Sequence, residues 1–174
     1  MDFKELYLSD LSRYGTSGPQ RYVKHLHFFY RKSQICNKPL LKYWYRFVFS
    51  YLKNKRGIEL SRKTSIGKGL YLGHAYNITI NPNVIIGSNC NLHKGVTIGQ
   101  ENRGIRKGTP KIGNRVWIGV NATIVGNITV GNDVLIAPNS YVNCDIPDHS
   151  IVFGNPCVIK HRHNATEDYI NNMV

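Results

Sequence analysis

The sequence predicts a mainly β protein, a solenoid of stacked six-residue units, with a short α-helical region at its N-terminal end. Three observations predict it. Aliphatic residues recur every six positions through most of the chain. Gly or Asn commonly follows the aliphatic position. The first 57 residues lack this period and carry spacings of three and four instead. Four cysteines, Cys36, Cys90, Cys144 and Cys157, form no CxxC pair and no metal-ligand spacing, so reduced thiols in a reducing compartment are expected. No signal peptide and no apolar run of transmembrane length is visible, so a cytoplasmic protein is expected.

Residues 1–57 read as a helical region. Asp2 to Tyr14 suits a short helix that the Gly15-Thr-Ser-Gly-Pro19 run breaks, and Tyr22 to Lys32 is a second candidate. The clearest helix follows Pro39. Leu40, Leu41, Tyr43, Trp44, Phe47, Val48, Tyr51 and Leu52 give a wide apolar stripe, and Gly57 fits the stop. That stripe either packs on this protein or another subunit, or docks on a membrane surface as a basic aromatic helix. Net charge is +13, and residues 1–58 hold +9 of it, which favours anionic partners and contact with the inner membrane surface. Nucleic acid is not expected, because no recognition motif accompanies the basic residues.

Residues 58–160 read as the solenoid. The aliphatic positions are Leu60, Ile66 and Leu72, then Ile80, Ile86, Leu92 and Ile98, then Ile112, Ile118, Ile124, Val130, Ile136 and Val142, thirteen units in all. Residues six apart fall on different faces of a helix, so this period excludes one amphipathic helix. Short strands joined by tight turns satisfy it, each placing one aliphatic side chain in a shared interior. One unit cannot bury its apolar side chain alone, whereas stacked coils can. Two interruptions stand out: a two-residue offset after His74, and a polar, basic segment at 100–109 that reads as an extruded loop. Residues 161–174 read as a basic tail, where His161 and His163 suggest a metal but find no third ligand in the sequence; no metal site is expected.

A neutral imidazole, with a reference pKa of about 6.5, suits a general base at neutral pH. Of seven histidines, His74 and His93 lie inside the repeats.

The repeat resembles the hexapeptide-repeat acyltransferase superfamily, which implies a left-handed parallel β-helix with three units per coil, a homotrimer, and acetyl-CoA as co-substrate. The segment from Glu59 to His74 resembles the catalytic segment of serine acetyltransferases, and the likeness continues through Val96-Thr-Ile-Gly99, Pro110-Lys-Ile-Gly113, Val116-Trp-Ile-Gly119, Asp145-Ile-Pro147 and Gly154-Asn-Pro156. It implies that His74 is the base and Glu59 its orienting carboxylate. That family carries an Asp directly before the catalytic His, where Gly73 stands, and a His where Thr109 stands; both contact the amino-acid substrate. With these two missing, His74-Ala-Tyr-Asn-Ile and Asn89-Cys-Asn-Leu-His-Lys-Gly look closer to bacterial polysaccharide O-acetyltransferases. The expected acceptor is therefore a sugar hydroxyl or lipid-linked saccharide of surface polysaccharide biosynthesis, with serine as the alternative and a non-catalytic scaffold as a third reading. His93, Arg103, Arg106 and Thr109 are the expected substrate contacts. The resemblance places acetyl-CoA along Gly99, Gly119, Val120, Ala137 and Pro138, with Lys160 and Arg162 near its phosphates.

Overall fold

The computed structural model describes residues 2–174. Three helices lead, α1 (Phe3–Ser12), α2 (Arg21–Ile35) and α3 (Pro39–Asn54), with a short 3-10 turn at Gly15–Ser17. A β-solenoid of about five turns follows, as the period requires, and it matches the left-handed β-helix that the resemblance implied. Its strands form three sheets of five, four and six strands, all parallel except the last strand of the third. The first runs from Glu59–Leu60 to Tyr141–Val142, the second from Ser65–Ile66 to Thr129–Val130, and the third from Tyr71–Gly73 to Ser150–Phe153. An antiparallel return strand, Val158–His161, closes the third sheet.

The aliphatic column is the core. Ile80 pairs with Ile98, Ile98 with Ile124 and Ile124 with Val142, and the last three are fully buried. The register explains each interruption. A regular coil takes eighteen residues, as from Ile118 to Ile136. The first coil takes twenty, Leu72 to Leu92, because the corner after Gly73 holds two extra residues. Left-handed backbone at His74 (φ 51°) and Asn77 (φ 49°) makes that corner. The loop adds eight residues between Ile98 and Ile124. It is a small hairpin, closed by reciprocal 3.0 Å hydrogen bonds between Glu101 and Gly108.

The solenoid also runs two units further than the thirteen read from the sequence. Ile136 pairs with Val152, only sixteen positions on, so a shortened corner after Val142 hides the last repeat.

The helices dock on the first coil through α2. Tyr30 Oη donates to Thr64 O (3.0 Å), and Arg31 donates to Ile66 O (2.8 Å) and Gly67 O (2.7 Å). The apolar stripe of α3 is not consumed in this way. Phe49 is its one fully buried residue, whereas Leu40, Tyr43, Trp44, Phe47 and Tyr51 are exposed. The C-terminal tail is docked rather than free. Asp133 accepts hydrogen bonds from Ala165 N, Thr166 N and Thr166 Oγ1, and Asn91 Nδ2 donates to Tyr169 O (3.1 Å).

Candidate active site

The edge where the third sheet turns into the first carries His74 and four of the expected acetyl-CoA contacts. Its corners stack through backbone hydrogen bonds: Gly95 N to Tyr76 O (3.0 Å), Asn121 N to Lys94 O (3.0 Å) and Asn139 N to Val120 O (2.9 Å). His74, Lys94, Gly119, Val120, Ala137 and Pro138 therefore share one edge. A side chain at Gly119 would meet the backbone of Ala137 and Pro138 at 2.6–2.9 Å, so glycine is what lets those two corners close.

His74 is exposed at the low end of this edge, and among the described residues it makes no hydrogen bond within the chain. It lines a cavity of about 350 Å³ with Gln20, Tyr22, Arg56, Tyr76 and Lys94. The Arg56 guanidinium lies 4.4 Å from the Tyr22 ring centre and 4.1 Å from that of Tyr76, which holds a cation beside the imidazole. Neither Arg56 nor Lys94 was among the expected site residues. Arg56 reaches the cavity only because the helical region folds back, and Lys94 because it sits one coil above the His74 corner.

Other expected residues lie elsewhere. Glu59 is on the first sheet and lines a separate cavity of about 410 Å³ with Arg46, Lys53 and Arg62; no hydrogen bond or ion pair joins it to His74 among the described residues. Gly99 lies on the next edge, beside Val125. Thr109 is also there, its Oγ1 donating to Asn83 O (3.2 Å). Arg103 and Arg106 are exposed on the loop, and Lys160 and Arg162 on and just beyond the return strand. His149 joins His161 and His163, with ring centres 5.1–6.3 Å apart, and its Nδ1 is engaged with Asp133 Oδ2 at 2.7 Å.

His93 sits on the outer face of its strand rather than in a turn. Its ring packs 4.7 Å from that of Trp117 and 6.2 Å from that of Tyr71. Burial, and then the neighbouring His74, push its pKa down, so the ring is neutral at pH 7. The ring also explains Gly73. A Cβ at Gly73 would fall within 2.5 Å of His93 Cε1, leaving no room for an aspartate. Gly73→Asp is expected to cost about 1–3 kcal/mol by overpacking. In a double-mutant cycle with His93→Ala, chemical denaturation should return a coupling of about 1 kcal/mol or more, and additive losses would refute the clash.

Residues 109–144 match the bacterial transferase hexapeptide (six repeats) family. A serine acetyltransferase of Helicobacter pylori is 32% identical over 126 residues, covering 72% of this chain and 74% of that protein. This chain belongs to the serine acetyltransferase family. Serine acetyltransferase 2 of Arabidopsis thaliana is 30% identical over 128 residues, and the chain spans only 40% of that relative's length. The solved structure of soybean serine acetyltransferase complexed with serine shares the fold, with a TM-score of 0.77 at 23% identity, over 91% of this chain and 69% of that one.

Membership of this family overturns the expected sugar acceptor and the place in polysaccharide biosynthesis. Several residues of the motifs behind that expectation serve the fold. Asn77 and Asn89 supply left-handed corners, and Cys90 and Leu92 are core residues. These four residues report coil geometry. No helix of the described residues is long and apolar enough to cross a membrane.

Proposed function

We propose that this chain transfers an acetyl group from acetyl-CoA to the side-chain hydroxyl of serine, as a homotrimer with His74 as general base. The observation that carries the reading is the family match, joined to an imidazole with no internal partner on an exposed edge. The serine hydroxyl oxygen attacks the thioester carbonyl carbon while His74 takes its proton. The C–S bond then breaks, and the CoA thiolate takes that proton from the imidazolium. Transfer is direct. The Cys90 thiol is fully buried, and burial pushes its pKa up to about 12, so it is no nucleophile. Acetyl-CoA lies along Gly119, Val120, Ala137 and Pro138, with Lys160 and Arg162 near its phosphates. Glu59 orients His74 in the assembled protein, an assignment supported by the family resemblance. Its substitution by Gln should displace the pH–rate profile, and an unmoved profile would remove that role.

The decisive measurement is CoA thiol release with L-serine, hexoses and no acceptor. Release that depends on serine is expected. Release supported by hexoses and not by serine would overturn the reading, and Gly73 and Thr109 make the comparison a demanding one.

The basic region and the exposed face of α3 further support docking on an anionic membrane surface, with Trp44 and Phe47 entering the headgroup layer. In sedimentation with phosphatidylglycerol vesicles at low salt, the Trp44→Ser/Phe47→Ser variant should bind roughly tenfold more weakly, since both side chains lose apolar burial. Equal sedimentation would count against docking.

A further inference from the structure

A third cavity, of about 390 Å³, lies over the outer face of the third sheet, between the N-terminal 3-10 turn and the docked C-terminal tail. Arg13 lies against it and is only 3% exposed. Its Nη2 donates to Asn91 Oδ1 at 2.6 Å, while Nε and Nη1 have no hydrogen-bond partner. No carboxylate pairs with it among the described residues, because the nearby Asp10 is engaged by Arg31 and by Leu70 N. A buried guanidinium keeps its charge, and a buried charge with no counter-charge costs several kcal/mol. Burial indeed pulls the Arg13 pKa below its ordinary value.

The free nitrogens define what is missing. Asn91 takes one of the two hydrogens on Nη2. Whichever it takes, one whole edge of the guanidinium is left, Nη2 with Nε or Nη2 with Nη1. That edge matches two oxygens of one planar anion. The rest of the cavity suits an organic body. Tyr71, His93, Trp117 and Tyr169 form a continuous aromatic row, with neighbouring ring centres 4.7–6.2 Å apart. His93 Nε2 is a further buried nitrogen without a partner. With His93 neutral, the lining offers one net positive charge, which a monoanion balances and a phosphate dianion exceeds.

We infer that this cavity binds a small organic carboxylate, gripped by the free edge of Arg13 with its body against His93 and Trp117. The site stands on this geometry and is independent of the acetyl-transfer reading.

The test uses the full chain carrying Trp44→Phe, which leaves Trp117 as the one tryptophan. Its fluorescence is titrated with acetate, benzoate, benzamide and inorganic phosphate. A saturable change is expected with acetate or benzoate, at least tenfold tighter than with phosphate, and none with the uncharged benzamide. Arg13→Gln should weaken carboxylate binding about tenfold or more, as loss of a charge-assisted pair does. Arg13→Lys should fall between the two, since an ammonium keeps the charge and lacks the fork. Ser17→Phe, a change at an exposed position on the cavity rim, should block entry without touching the buried network, so the test survives if Arg13 variants misfold. Failure of both carboxylates to saturate would overturn the inference. So would tighter binding of phosphate or benzamide, or undiminished binding by folded Arg13→Gln or by Ser17→Phe.

Discussion

Replacing His74 with Ala is expected to lower kcat/KM for acetyl transfer about 10²- to 10⁴-fold, the usual worth of a positioned general base. The fold argues for a specific effect. His74 lies in a corner that carries two more residues than a regular coil, at φ 51°, and its ring is exposed. Removing it leaves the core column untouched, because Leu72 and Ala75 beside it fill the interior. Melting temperature and the KM for acetyl-CoA should therefore change little while turnover collapses, the pattern of an interaction made in the transition state. His93→Ala is the internal comparison. That ring is packed between Trp117 and Tyr71 against Gly73, so its loss should be felt first in stability. Retention of more than a tenth of wild-type turnover by His74→Ala would remove His74 from the base role.

The period of six made the solenoid legible, since each aliphatic position read from the sequence is a buried member of the column. The insertion after His74 and the loop at 100–109 were legible for the same reason, because a strict repeat exposes its own interruptions. The last coil was not, because the corner after Val142 is two residues short and moves Ile146 and Val152 out of phase. Side-chain chemistry was readable only where it lay inside the repeat. His74 stands in a recognisable segment, but Arg56 reaches its cavity through tertiary folding, which no local spacing records. The acceptor was misread for a related reason. Asn77, Asn89 and Cys90 look like motif residues and serve corners and core. Glu59 shows the limit of spacing alone. Fifteen positions separate it from His74, close to one coil, yet it lies on a strand of the first sheet and lines a different cavity.

Asp10→Ala is expected to destabilise the protein by about 3–5 kcal/mol, the cost of leaving a buried cation without its partner. Asp10 is fully buried where α1, α2 and the first coil meet. Its carboxylate accepts hydrogen bonds from Arg31 Nε (2.8 Å), Arg31 Nη2 (3.0 Å) and Leu70 N (2.9 Å), and His27 Nδ1 lies 3.4 Å away, out of hydrogen-bond alignment. Arg31, itself 1% exposed, also donates to Ile66 O and Gly67 O. The network thus ties the helical region to the solenoid by charge as well as by packing. Asp10→Asn keeps an acceptor and loses the charge, so it should fall between wild type and Ala. The same carboxylate sets an acid limit. Burial works to raise its pKa, but His27 and then Arg31 together draw it below the ordinary carboxylate value. A depressed folded-state pKa contributes stability that is present above the unfolded value of about 3.9 and is lost as pH falls through the folded one. Wild type should therefore lose stability below about pH 4 more steeply than Asp10→Asn, which has no proton to bind there. Urea denaturation at fixed protein concentration, at pH 7 and across the acid range, measures both effects. A loss under about 1 kcal/mol for Asp10→Ala, or parallel acid profiles for wild type and Asp10→Asn, would show that the helices are held by apolar contact alone.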